Sequence, residues 1–220
     1  MQKCVGQSGD CNKFKGNLLF MNINKDYEIG LDELLANPTE LTPATYQYYK
    51  NLKNRTIIIN DQIDSDIVER VMLPLIEMDN DGTGNSITIR LSTVGGSLFD
   101  GITLCDIIDS LKTKTTIIVQ TYAYSMGGII LMAGYNNPNV KKVCYKHSTA
   151  LLHAGSTYLE GNSSSVKDQF HFNQKFEQKL KDYTLSHSKI TEDEYNSMER
   201  YEWYMDSETM LEKGLVDEIL

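Results

Sequence analysis

At 220 residues the chain is long enough for one substantial hydrophobic core and short for two full domains. Its 21 basic and 30 acidic residues leave a formal charge of −9, which argues against a nucleic-acid or anionic-membrane surface as its main business. The longest apolar runs fall far short of the roughly 18 residues a membrane span requires, and Met1 to Asp10 is too polar for a secretory leader.

Residues 1–44 show no sustained periodicity and carry turn signals at Asn37-Pro38 and Thr42-Pro43. They read as a partly irregular N-terminal extension ahead of a single domain over 45–220. Arg55-Thr56-Ile57-Ile58-Ile59-Asn60 predicts a first buried strand, and Ile67, Val68, Val71, Met72, Leu75 and Ile76 then follow helical spacing, with Pro74 expected to kink that helix. Asp79 to Asn85 is a turn by composition. Its D-x-D-G core lacks the downstream glutamate that a calcium loop needs. Ser86 to Leu91 is the second strand, and Ser92-Thr93-Val94-Gly95-Gly96-Ser97 is a glycine turn into a helix carrying Leu98, Ile102, Cys105, Ile108 and Leu111.

The β-branched run Thr115 to Thr121 predicts a third strand, and Ile129 to Ala133 a short helix stopped by Gly134. Strands and helices alternating in this way predict parallel βαβ units, hence an α/β fold with a mostly parallel sheet. Ligands in such sheets bind beyond the carboxyl ends of strands, where both the Gly95-Gly96 turn and Ser125 fall. A fourth strand is expected at Lys142 to Tyr145, and a fifth at Ala150-Leu151-Leu152, which delivers His153. From Ser163 to His187 the spacing of Val166, Phe170, Asn173, Phe176, Leu180 and Tyr183 describes one long amphipathic helix. Thr191-Glu192-Asp193-Glu194 is a capping box for the next helix, and Asp206-Ser207 opens a last one stopped by Gly214. Cys4 and Cys11 have no second Cys or His pair nearby to complete a zinc site, so no metal or other cofactor is expected. All four cysteines read as reduced thiols of a cytoplasmic protein, with Cys105 and Cys144 as small core residues.

Ser125, within Tyr122-Ala123-Tyr124-Ser125-Met126-Gly127-Gly128, sits at a strand-to-helix turn. Such a turn lifts a hydroxyl out of the sheet edge beside the free N–H groups of a helix start. Ala123 stands where the G-x-S-x-G elbow has its first glycine. A serine hydroxyl is a weak nucleophile at neutral pH and needs a base within reach, itself held in the right tautomer. His171 and His187 belong to the long helix, while His147 follows the fourth strand and rivals His153. His153 is better placed, closing a buried strand and opening the small-residue turn Ala154-Gly155-Ser156.

Ser92-Thr93-Val94-Gly95-Gly96, Ala123-Tyr124-Ser125-Met126-Gly127, Ala150-Leu151-Leu152-His153 and Glu212-Lys213-Gly214-Leu215-Val216-Asp217 occur in the order and spacing of the proteolytic subunit of the Clp protease. Tyr49 to Arg55 also resembles the segment before that family's first strand. The resemblance implies a Clp/crotonase-like fold of stacked ββα repeats with a long protruding handle helix. It also implies a serine endopeptidase in a homo-oligomer of stacked rings, taking polypeptide substrates from an AAA+ unfoldase on another chain. No P-loop occurs here, so ATP use would lie outside this chain. Carried over residue by residue, Ser125 matches the nucleophile, His153 the general base, and Gly96 and Met126 the backbone donors of the oxyanion hole. Ser97, Leu98 and Phe99, with Gly155, Ser156 and Thr157, match the two edges between which the family holds its peptide.

The chain departs from the family pattern in four places. Counting back from Gly214, the triad aspartate falls on Glu202, with Glu199 and Asp206 as lesser candidates. Val94 stands in place of a proline, Ala154-Gly155-Ser156 replaces the usual Gln-Pro after the histidine, and the front end is longer than the family's axial loop. Three further readings stay open at this stage: a viral or mobile-element protease that processes a structural precursor, a non-catalytic ring subunit, and a relative of the enoyl-CoA hydratases. The Ser125 and His153 pair counts against the last, whose chemistry needs neither.

Overall fold

The structure, a computed structural model, describes residues 32, 33, 35, 36, 41–198 and 201–220. Most of the extension expected over residues 1–44, with Cys4 and Cys11, lies outside them, as does Glu199. Helix α1 (Pro43–Lys53) starts on Pro43, whose missing N–H costs nothing at a helix start, and is capped by the Thr42 side chain accepting from the Thr45 N–H. Strand β1 (Thr56–Ile59) follows, then a π-helical turn (Val68–Met72) and helix α2 (Leu73–Asn80). The expected kink at Pro74 is therefore a change of helix type, with Pro74 in the first turn of α2. Tyr48 donates to the Arg70 carbonyl (3.4 Å), the group that an N–H at position 74 would otherwise have served.

Strand β2 (Ile87–Thr93), helix α3 (Leu98–Asp109), strand β3 (Thr115–Tyr124) and helix α4 (Met126–Met132) complete the first βαβ units. Strands β4 (Val140–Cys144) and β5 (Thr149–Leu152) come next, then helix α5 (Ser163–Ser186) and helix α6 (Glu192–Met198). Strand β6 (Trp203–Met205), helix α7 (Ser207–Glu212) and strand β7 (Glu218–Ile219) close the chain. Among the described residues the sheet has seven strands, ordered β1-β2-β3-β4-β7, with β5 on β3 and β6 on β5. Every pairing is parallel except β5 with β6.

Strand β3 carries two neighbours in succession on one edge. Thr115 to Val119 pairs with β4, and Tyr122 to Tyr124 pairs with β5. The buried Ser148 hydroxyl makes the handover, donating to the Val119 carbonyl (2.9 Å) and accepting from the Tyr145 N–H (3.2 Å). Ile57, Ile59, Ile87, Ile89, Leu91, Ile117 and Val119 alternate into one core with Leu104 and Ile108 of α3 and Ile130 and Leu131 of α4. Helix α5 is different in kind, because Thr184 alone of its 24 residues is buried. Its C-terminal end is anchored by Tyr183 Oη donating to Asp109 Oδ2 (2.9 Å), and its middle by Phe172 and Phe176 against Phe99 at 6.0 and 5.0 Å.

Candidate active site

Ser125 closes β3 with φ 54 and ψ −120, a combination that costs a residue with a side chain about 1–3 kcal/mol. Three bonds and contacts hold it there. Its N–H donates to the Leu151 carbonyl (2.8 Å), its carbonyl accepts from the Gly128 N–H (2.9 Å), and Gly128 lets the turn lie against β5. A Cβ on Gly128 would stand 2.8 Å from Leu152 Cδ2 and 3.1 Å from the Leu151 oxygen. The half-buried hydroxyl is thus set on a sharp elbow at the carboxyl end of the sheet, as the sequence led one to expect.

The glycine turn after β2 abuts that elbow. A Cβ on Gly95 would meet the Tyr124 oxygen at 2.5 Å and Ser125 Cβ at 2.8 Å, and Gly95 itself takes φ 89. Thr93 shapes the turn, its Oγ1 accepting from the Gly95 N–H (3.1 Å) and donating to the Asp61 carbonyl (2.6 Å). The parallel bridge between Ile63 and Gly96 uses the Gly95 carbonyl and the Ser97 N–H, so the Gly96 N–H takes no part in it. The Met126 N–H is the first of α4. Among the described residues, neither of these two amides has an acceptor.

His153 follows directly on β5, whose register with β3 sets Tyr124 beside Leu151. Carried forward one step, that register brings Ser125 beside Leu152 with His153 next in line. On the other side, β6 pairs antiparallel with β5 as Leu152 with Trp203 and Leu151 with Tyr204, and one further step along that register sets Glu202 opposite His153. Ser125, His153 and Glu202, from three separate segments, thus share one end of neighbouring strands. Among the described residues the side chains of Ser125 and His153 make no hydrogen bond, and the exposed Glu202 carboxylate accepts from Tyr204 Oη (3.0 Å). A cavity of about 390 Å³ between α6 and β6 includes Glu202 and Trp203 in its wall, but not Ser125 or His153.

The competing candidates fall elsewhere. His147 is exposed in the turn before β5, at the end of that strand remote from Ser125. His171 is exposed on α5, and His187 stacks on Tyr183 (3.9 Å) beside Asp109. Asp206 is the cap of α7, accepting from the N–H (2.9 Å) and hydroxyl (2.6 Å) of Thr209, whose hydrogen bonds hold its carboxyl below the usual range. Ser97 caps α3 and Leu98 and Phe99 form its first turn, so of this expected edge only Ser97 lies outside a helix. Gly155, Ser156 and Thr157 are exposed in an irregular stretch, with nothing within 4 Å of a Cβ on Gly155. Sequence reading passed over Thr93 and Tyr204. No local pattern flags the latter, because the strand that puts residues 202 and 204 on one face is only three residues long.

Among the described residues no group of three or more His, Cys, Asp or Glu is placed to hold a metal, and no helix is long and apolar enough to cross a membrane. Cys105 and Cys144 are buried free thiols, and burial pushes the Cys144 thiol up to about 11.

A family model described as Clp protease matches residues 40–220. An ATP-dependent Clp protease proteolytic subunit from Deinococcus radiodurans is 25% identical over 174 residues, covering 79% of this chain and 83% of that protein. One of the same description from Bacteroides fragilis is 24% identical over 190 residues, covering 86% and 88%. One from Cyanophora paradoxa is 23% identical over 170 residues, covering 77% and 86%. With the family model spanning the whole sheet and the elbow at Ser125, this chain belongs to the Clp protease family.

Proposed function

We propose that the chain is a serine endopeptidase of the Clp type, with Ser125 as nucleophile, His153 as general base and Glu202 as the carboxylate that orients the imidazole. The strained elbow of Ser125, pressed against the Gly95-Gly96 turn, is the observation that carries this reading. In this scheme Ser125 Oγ attacks the peptide carbonyl while His153 takes its proton. The negative charge that develops on the carbonyl oxygen is received by the N–H groups of Gly96 and Met126, fixed beforehand by the turn and the helix start. His153 then protonates the leaving amine, and water, activated by the same imidazole, releases the acyl group. Gly96 and Ser97 on one side and Gly155 to Thr157 on the other would flank the substrate backbone as an added strand.

The family implies a proteolytic oligomer fed by a separate ATPase, and we carry over stacked rings, an AAA+ unfoldase partner and polypeptide substrates on that ground. The buried free thiols Cys105 and Cys144 suit a reducing cytoplasm. A non-catalytic ring subunit is the second reading, favoured by the lack of a hydrogen bond between the Ser125 and His153 side chains among the described residues. Hydrolysis of small fluorogenic peptides decides between them: the wild type cleaves and Ser125→Ala does not. Equal rates in the two proteins, or no cleavage by the wild type, would remove the serine mechanism.

A further inference from the structure

Resting on the catalytic reading above, we propose that Tyr204 is a positioning residue for Glu202, its phenol fixing the carboxylate that orients His153. Glutamate reaches further than aspartate and has one more rotatable bond, so an exposed Glu202 left to itself would spread over several rotamers. Tyr204, in β6, lies two residues after Glu202, which immediately precedes that strand, and its Oη donates to Glu202 Oε2 at 3.0 Å. That leaves Oε1 available to an imidazole N–H from His153, which falls opposite Glu202 when the register of β5 and β6 is continued one step past Leu152 and Trp203.

Tyr204 is itself held by the nucleophile's own strand. Its ring meets Tyr124 edge-on, with centroids 5.9 Å apart and planes at 89°. Tyr124, the residue before Ser125, is pinned by its hydroxyl to Thr149 Oγ1 (3.0 Å) and by its ring to Tyr122 (5.0 Å). The carboxylate is therefore referenced through two aromatic rings to the strand that ends in the nucleophile. The hydrogen bond to Glu202 also raises the Tyr204 phenol above its ordinary range.

Tyr204→Phe keeps the ring and its edge contact and deletes only the donor, so it separates positioning from packing. Peptide hydrolysis is expected to lose about fivefold in kcat with KM within about twofold, because only the proton-transferring step is misaligned. The acylation rate by a fluorophosphonate probe is then compared in the wild-type and Glu202→Ala backgrounds. Positioning through Glu202 predicts that Tyr204→Phe slows acylation in the first and changes nothing in the second. Wild-type kinetics in Tyr204→Phe, an equal loss in both backgrounds, or a change in particle mass that accounts for the loss would each overturn the proposal and leave the Ser125 mechanism standing. Absence of Ser125-dependent turnover in the wild type would overturn both together.

Discussion

Ser125 and Lys142 show how single residues in this fold carry unfavourable terms that their surroundings fix in place. The elbow keeps Ser125 at φ 54 because the bonds from Leu151 and Gly128 and the close approach of Gly95 leave the backbone no other course. Lys142 is 1% exposed in β4, with its ammonium donating to the Gly214 carbonyl (3.2 Å) and lying 4.8 Å from the Tyr135 ring centre. Burial lowers its pKa from the ordinary 10.5 to about 8. Below pH 8 the lysine is charged in both states, and the cost of burying that charge is fully present. Between about 8 and 10.5 the unfolded chain keeps the proton while the folded one gives it up, so stability rises with pH across that window. Urea unfolding at a series of pH values should show the wild type gaining up to about 3 kcal/mol on Lys142→Met between pH 8 and 10.5. Parallel pH curves for the two proteins would contradict the buried-charge account.

Helix α5 is the element whose attachment is least like the rest. Its 24 residues meet the body through the Phe99, Phe172 and Phe176 rings and, towards the C-terminal end, through Tyr183 on Asp109, Lys181 on Glu192 and Asn196, and the Ser186 carbonyl accepting from Asn136. Phe176→Ala removes the ring 5.0 Å from Phe99 and leaves the Tyr183 bond intact. Hydrogen exchange should then lose protection by about tenfold in the first half of α5 and remain unchanged near Tyr183. Uniform loss along the helix would mean that the two anchors act as one. The period of this helix was plain in the sequence, because its apolar residues recur at helical spacing over its full length. Strand β3 was legible only to Thr121, since Tyr122 to Tyr124 continue it through pairing with β5, which no local pattern announces. Helix α4 likewise begins at Met126 and not Ile129: close packing of Gly127 and Gly128 against Thr93 and Leu152 outweighs their poor helix propensity.

For the molecule as a whole, the parallel order of the strands, legible in the alternation of strands and helices, explains why the candidate site residues gather at one edge. Ser125, His153 and the Gly95-Gly96 turn all follow strands, and parallel strands deliver their carboxyl ends to one edge. Glu202 obeyed no such rule. It precedes β6, a three-residue antiparallel strand too short to announce itself, and only counting back from Gly214 in the family resemblance pointed to it. Its bond to Tyr204 was hidden for the same reason, since strand alternation cannot be applied before the strand is known. Of the residues that the resemblance sets along the peptide, Leu98 and Phe99 stand in the first turn of α3 behind its cap Ser97, in line with the helix read from Leu98 in the sequence.

Mapping the adduct of a fluorophosphonate probe by peptide mass spectrometry, on the assembled particle, tests the central claim most directly. A single adduct on Ser125 is predicted, with labelling at least about a hundredfold slower in His153→Ala because the hydroxyl has lost its base. An adduct on another residue, no adduct at all, or an undiminished rate in His153→Ala would contradict it.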